Sequence, residues 1–142
     1  MLLDGESAPQ PLESSSIVFA TNMSQYRQAV VAYAIGNPAF VGSVPTTALA
    51  PFLGENVPNG LWRNYVQPNT DAAGSLVVVY ATAAPAPTVI ASMEQLAQGS
   101  ALAGVALGST VVSPGNPAVP LPAALVNVIP NGMPVWMAQA YE

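Results

Sequence analysis

The clearest hydrophobic pattern in the chain lies in residues 19–37, FATNMSQYRQAVVAYAIGN. Its large apolar side chains follow each other at steps of four, three, four and three residues: Phe19, Met23, Tyr26, Val30 and Tyr33. At about 100° per residue, this spacing places them on one stripe of an α-helix. The polar side carries uncharged residues: Thr21, Ser24, Gln25 and Gln28. The pattern predicts an amphipathic helix whose stripe is buried in the core.

Both ends of this helix have sequence signals. A serine among residues 14–16 can accept a hydrogen bond from a backbone N–H of the first turn, which favours a start there. The sequence GNP at 36–38 favours an end, because Gly and Asn suit C-terminal caps and the residue before proline avoids the α region. Val31 and Ile35 lie opposite the stripe, so we expect the C-terminal half to be the more deeply buried half.

Prolines and glycines interrupt the stretch that follows the helix. Residues 45–53, PTTALAPFL, predict a short helix with Pro45 in its first turn and Ser43 as its cap. Residues 61–66, LWRNYV, are compatible with a strand or with a helical turn. Residues 67–74 are rich in turn-forming residues. This part of the chain is therefore predicted to be mostly loop, with one short helix.

Residues 75–82, SLVVVYAT, carry the strongest strand signal, because β-branched and aromatic side chains follow each other almost without a break. A continuous apolar run is typical of a central strand that is buried on both faces. We expect the helical stripe to pack on this strand. Burial of five large side chains would then stabilise the domain by on the order of 10 kcal/mol, before conformational entropy opposes it.

The remaining segments predict one more helix and one more strand before the C-terminal region. Residues 87–100 predict a second helix, with Pro87 near its start and Gly99 just past its end. Residues 102–114 predict a second strand, which its glycines weaken.

The C-terminal region predicts a last strand over residues 133–139, after a proline-rich connection at 114–122. Pro134 has no N–H to donate, which places this strand near a sheet edge. The order is then helix, strand, helix, strand, strand. This order predicts an α+β domain in which the long N-terminal helix packs on a small, mostly antiparallel sheet, with a second helix between strands.

Composition adds that the surface is polar but nearly uncharged. The chain has 142 residues, the usual size of one domain, and only 6% of them are charged, against about 25% in an ordinary soluble domain. Seven acids and two arginines give a net charge of −5. Nucleic-acid binding and attraction to anionic lipid both need clustered Lys and Arg, so both are excluded. No window reaches the roughly 20 apolar residues of a membrane span.

Candidate chemistry is equally restricted. The chain has no cysteine and no histidine, which excludes disulfides, thiolate catalysis and histidine bases. Glu55, Asp71 and Glu94 are the carboxylates that a glycosidase-like pair would need, but they share no motif. We interpret them as three solvated acids. We therefore expect no catalytic residues, no metal, no cofactor and no enzymatic activity.

Five residues are candidates for contact with a protein partner: Gln25, Arg27, Trp62, Arg63 and Tyr65. Arg27 lies beside the stripe; the favoured interpretation is an edge arginine whose stem covers apolar surface and whose charge pairs with Glu94. Trp62, Arg63 and Tyr65 are close in sequence and predict an aromatic and cationic cluster. Such residues dominate interface hot spots, yet tryptophan is also an ordinary core residue, so both interpretations stay open.

The N-terminal residues 1–14, MLLDGESAPQPLES, carry three acids and two prolines. They lack the basic region and the apolar core of a signal peptide. They predict a flexible leader, or what remains of a truncated segment, ahead of a single domain over residues 15–142.

Five segments occur in an order that resembles the PilM proteins of type IVB pili: ATNMSQYRQAVVAYAIGNP, VGSVPTTAL, LWRNYV, VVVYAT and IPNGMPVW. The resemblance covers about residues 18–138, and its most distinctive part is Asn-Met-x-x-Tyr-Arg at 22–27. These PilM proteins are small accessory proteins of thin-pilus and conjugative-pilus operons. They are distinct from the larger actin-like cytoplasmic proteins of the same name.

The resemblance implies a non-enzymatic component of the pilus basal body, at the periplasmic side of the bacterial inner membrane, with other pilus assembly proteins as partners. It also implies an N-terminal membrane anchor, in whose place this chain has residues 1–14. Low charge fits a domain that sits inside an assembly. Two alternatives remain: a pilin-like subunit, and a domain that binds or hydrolyses cell-wall glycan. The second would use Glu55, Asp71 or Glu94, with Trp62 as a stacking platform.

Overall fold

The computed structural model describes residues 10–55, 57–70, 72–83 and 87–140, with side chains described from Ile17 onwards. The α-helices are α1 (Gln10–Gly36), α2 (Thr46–Leu53) and α3 (Pro87–Leu96). The strands are β1 (Trp62–Pro68), β2 (Ser75–Ala81), β3 (Ala103–Leu107), β4 (Thr110–Val112), β5 (Val119–Pro120) and β6 (Pro134–Ala140). A short 3-10 helix occupies Ala123–Leu125.

The strands form one six-stranded sheet in the order β1-β2-β6-β3-β4-β5, and every neighbouring pair is antiparallel. The predicted α+β fold, with an N-terminal helix on an antiparallel sheet and a helix between strands, is confirmed. Strand β2 is an interior strand, as its continuous apolar sequence predicts. Strand β1 settles the choice that the sequence left open for residues 61–66.

The helical stripe packs where the pattern predicts. Met23 and Val30 are fully buried, and they share one core with Val77 of β2 and Trp136 of β6. This face of the sheet, which α1, α2 and α3 cover, is called the helix face below. Near the start of the described side chains, Val18 is 66% exposed, whereas Val31 and Ile35 are packed against the core. The deeper burial of the C-terminal half is consistent with the prediction.

Helix α1 begins at Gln10, ahead of the serines that were expected to cap it. Pro11 lies in its first turn, where a missing N–H has no intrahelical partner to lose, so proline does not stop the helix. Residues 10–14 of the predicted leader therefore belong to α1. Residues 1–9 lie outside the described residues, and the flexibility of the leader and the domain boundary at residue 15 stay predictions.

Two expectations for the strands are wrong. Residues 102–114 do not form one strand; they form the hairpin β3–β4, and its turn contains Gly108 with a φ of 60°. Strand β6 does not lie near an edge; it lies between β2 and β3. Pro134 is compatible with this position because it is the first residue of β6, where a strand tolerates a missing N–H.

The cap of α2 also differs from the prediction. Pro45 occupies the N-cap position without a side-chain hydrogen bond. The hydroxyl of Ser43 donates instead to the backbone oxygen of Asn64, at 2.8 Å. Ser43 therefore holds the chain beside β1 rather than capping the helix.

The opposite side of the sheet, called the far face below, has a core of its own. Val78, Val135 and Met137 point to this side, since side chains alternate along a strand. Three residues of the segment 119–133 cover them: Leu121, Leu125 and Ile129. This segment contains the short strand β5 and the 3-10 helix. The sheet is thus buried on both faces, by helices on one and by an irregular segment on the other.

Candidate interaction surfaces

Trp62 is separated from Arg63 and Tyr65, because side chains alternate between the two faces of the sheet along β1, and residues 63 and 65 share the face opposite to that of residue 62. Trp62 belongs to the helix-face core and is 3% exposed. Tyr65 packs on the far face. Arg63 is exposed, and its guanidinium donates to the carbonyl oxygens of Gly60 and Trp62 at 2.6 and 3.1 Å. Of the three, Arg63 is the most exposed, and partner binding by any of them stays a prediction.

Asn22 ties the loop before β1 to α1. Its Oδ1 accepts hydrogen bonds from the indole Nε1 of Trp62 at 2.9 Å and from the backbone N of Asn59 at 2.7 Å. Its Nδ2 donates to the carbonyl oxygen of Val57 at 2.7 Å. Sequence reasoning missed this role. The available signal was a polar side chain inside the predicted helix, one residue before Met23 of the stripe.

Asn64 plays a similar part from β1. It is 3% exposed, its Oδ1 accepts from the backbone N of Val44 at 2.7 Å, and its Nδ2 donates to the Val44 carbonyl at 3.0 Å. The same Nδ2 lies 2.7 Å from the hydroxyl of Tyr26, which accepts from it. The amide therefore pairs with Val44 as a strand backbone would. Asparagine is disfavoured inside strands, so its presence in LWRNYV was a signal that went unused.

The Tyr26 hydroxyl is the point where this network meets the buried stripe. Burial raises the pKa of Tyr26, while the hydrogen bond with Asn64 and the positive charge of Arg63 act in the opposite direction. Tyr26 is therefore neutral at physiological pH and acts as a hydrogen-bonding group. The polar residues buried in this region hold loops against α1 and β1.

Arg27 stacks on Trp136, with its guanidinium carbon 4.5 Å from the ring centroid. Burial lowers the pKa of Arg27, and its buried Nε has no hydrogen-bond partner among the described residues. The expected apolar packing of its stem agrees with this position. The expected pairing with Glu94 is wrong: within the described residues Arg27 forms no ion pair, because the cation is held by the aromatic ring instead.

The candidate acids lie on separate elements. Glu55 is exposed after α2, Glu94 is partly buried on α3, and Asp71 lies outside the described residues. The described part of the chain holds no group of three potential metal ligands. Partner binding by Gln25, which is partly exposed on α1, and the absence of enzymatic activity stay predictions.

An open groove of about 830 Å³ lies between α1 and α3. Ile17 of α1 and Ala91 and Glu94 of α3 contribute to its walls, and Pro114 closes one side. Ile17 is 51% exposed and presents apolar surface to the groove. The burial of Glu94 raises the pKa of its carboxyl group.

A second apolar surface lies beyond the C-terminal end of α1. The ring of Tyr33 makes edge-to-face contacts with Phe40 and Phe52, at centroid distances of 5.4 and 6.5 Å. Phe52 is 46% exposed, and Val41, which follows Phe40 in the sequence, is 59% exposed. Aromatic side chains of this kind are typical of protein interfaces.

These features define an α+β domain whose buried polar groups fasten loops and whose exposed surface carries few charges. A family model described as PilM matches residues 3–137, so the chain belongs to the PilM family. Membership of this family indicates a pilus-related accessory role. No curated protein and no solved structure matches the chain significantly. Among the helices of the described residues, none combines the length and the apolar character that a membrane span requires.

Proposed function

We propose that this chain is a non-enzymatic component of a type IVB pilus assembly apparatus, located at the periplasmic side of the bacterial inner membrane. The observation that carries the proposal is the family match, which spans residues 3–137 of a 142-residue chain. The subtype, the location and the absence of catalysis are parts of the proposal that go beyond family membership.

The surface chemistry supports a role in contacts with other pilus assembly proteins. Gln25 and Phe52, on two different elements, are uncharged and at least partly exposed. Uncharged groups lose less solvation free energy than charged groups when a partner covers them. The proposed partners therefore have surfaces that match an apolar or weakly polar patch.

The position of Trp62 does not support the alternative of a glycan-binding domain, in which this residue would stack on a sugar ring. A stacking platform needs an exposed aromatic face, and Trp62 is 3% exposed with its indole N–H bonded to Asn22. The alternative of a pilin-like subunit is tested by the experiment below, because such a subunit would crosslink to copies of itself along the pilus.

The test uses site-specific crosslinking in cells that assemble the pilus. A photoreactive residue is placed at Gln25 or at Phe52, and in a control at the exposed Leu107 on the β3–β4 hairpin. We expect Gln25 or Phe52 to crosslink to a different pilus assembly protein, and Leu107 not to do so. Deletion of the gene should abolish piliation. Normal piliation in the deletion strain, or ladders of self-crosslinked chains from sheared pili, would refute the proposal.

A further inference from the structure

The groove between α1 and α3 contains a carboxylate without a cation to offset it. Glu94 is partly buried in the groove wall, and burial is the dominant influence that raises its pKa. Water solvates this carboxylate in the open groove, but a molecule that covers it must supply a positive charge or hydrogen-bond donors in place of the water. Among the described residues, neither is found at the Glu94 side chain.

The two cationic side chains of the protein are both engaged elsewhere. The guanidinium of Arg27 stacks on Trp136, and that of Arg63 donates to the carbonyl oxygens of Gly60 and Trp62. The sequence contains no lysine and no histidine that might take their place. A positive charge that balances Glu94 in a covered groove would therefore come from another molecule.

The other residues of the groove wall indicate which further groups a bound molecule must carry. Ile17, Ala91 and Pro114 present apolar surface, while Ser92 and Gln95 supply uncharged polar groups. A volume of about 830 Å³ lies within the range of clefts that bind ligands, roughly 300–1,000 Å³. A free metal ion or a simple ammonium ion would leave the apolar walls uncovered. A segment of polypeptide with apolar side chains on either side of one basic side chain would cover them.

We propose that the groove between α1 and α3 binds a segment of a partner protein that places a lysine or arginine against Glu94, with apolar side chains against Ile17 and Pro114. Recognition of a basic side chain by Glu94 goes beyond the proposed pilus function, which does not specify how a partner is bound. It applies to the isolated protein, so its test does not depend on piliation.

The test is an NMR titration of the full ¹⁵N-labelled chain with capped five-residue peptides. The three probes have the sequence Leu-Ala-X-Ala-Leu, with lysine, glutamine or glutamate at X. We expect the lysine peptide to shift the amide signals of Ala91, Ser92 and Gln95. Its binding should be about 2- to 5-fold tighter than that of the glutamine peptide, which is the range for a partly exposed ion pair. The glutamate peptide should bind most weakly.

Two variants test whether the Glu94 carboxylate is the group that recognises lysine. Glu94→Gln should abolish the preference for lysine, whereas Glu55→Gln, which changes an exposed acid outside the groove, should keep it. An absence of shifts around Ala91, or an unchanged lysine preference in Glu94→Gln, overturns the proposal. Spermidine provides the last control. If it shifts the same amides as strongly as the lysine peptide, the groove recognises a free cation, and a polypeptide occupant is refuted.

Discussion

The two faces of the sheet are buried by different means. On the helix face, α1 lays a periodic stripe across β2 and β6, and two asparagines, Asn22 and Asn64, fasten the neighbouring loops with side-chain hydrogen bonds. On the far face, the segment 119–133 covers the sheet with a two-residue strand, a 3-10 turn and scattered apolar residues. Both faces exclude water from apolar side chains, but only the helix face has repeated local structure.

Because the two faces are covered by different structures, we expect cavity-creating substitutions to affect the stability of the two cores differently. A helix of 27 residues is held by continuous internal hydrogen bonds, so a cavity beneath it cannot be closed by local movement. An irregular segment has few such bonds and can shift towards a cavity. We therefore expect damage on the helix face to destabilise the whole domain, and damage on the far face to have a more local effect.

The largest effect is expected for Met23→Ala on the helix face. Met23 is fully buried, and the loss of its side chain should lower the free energy of unfolding by about 2–5 kcal/mol. Gln28→Ala, on the exposed side of the same helix, should cost under about 0.5 kcal/mol. Chemical denaturation of both variants measures the difference. Equal losses would show that the faces of α1 are wrongly assigned.

A smaller and more local effect is expected for Leu125→Ala on the far face. Leu125 is 3% exposed, and the loss should be about 2 kcal/mol, at the low end of the range for such cavities. Hydrogen exchange should become faster in residues 119–133 while α1 keeps its protection. Ala124→Ser, at the exposed neighbouring position, serves as the control. Faster exchange in α1 as well would mean that the two cores unfold together.

Tyr26→Phe tests the side-chain hydrogen bonds that hold the loops on the helix face. The substitution leaves the ring in place and removes the oxygen that accepts from Asn64 Nδ2, so stability should fall by about 0.5–1.5 kcal/mol. Tyr33→Phe is the matched control, because the Tyr33 hydroxyl makes no hydrogen bond that involves the described residues. Thermal unfolding of the two variants separates them. A loss in Tyr33→Phe as large as in Tyr26→Phe would contradict the assigned role.

The smallest effect concerns Glu94, the partly buried acid of the helix-covered side. Burial raises its pKa in the folded state, so its favourable contribution is complete below the unfolded pKa and is lost as the pH rises through the folded pKa. Glu94→Gln should therefore melt slightly higher than the unmodified chain at neutral pH. In acid the two should melt together. The measurement is Tm as a function of pH, and a variant that is less stable at neutral pH would contradict the assigned environment.

The sequence predicted the helix face well because its signals are local and repeated. The steps between Phe19 and Tyr33 give the buried side of α1, and the run in β2 gives an interior strand. The far face was not predicted, because Leu121, Leu125 and Ile129 follow neither a helical nor a strand period with any persistence. Their burial depends on contacts with β6 that are distant in sequence.

The candidate surfaces were predicted less well than the fold. Residue type left Trp62 open between an interface and a core position, and the alternation of side chains along β1 places it in the core. Glu94 was interpreted as a solvated acid, and its position in the wall of an open groove could not be predicted, because it depends on how α3 packs beside α1. Exposure depends on which elements meet, and a single sequence does not give that.

Both outer strands of the sheet are closed along their backbones. On β1, Val66 exchanges two hydrogen bonds with Gly42, the Asn64 carbonyl accepts from Ser43, and Pro68 has no N–H to offer. On the other side, β5 is two residues long and ends in a proline. In the part of the chain that the structure describes, the sheet therefore presents no template on which another chain could extend it. The closed edges oppose assembly by strand addition, so contacts with other proteins would form through side chains.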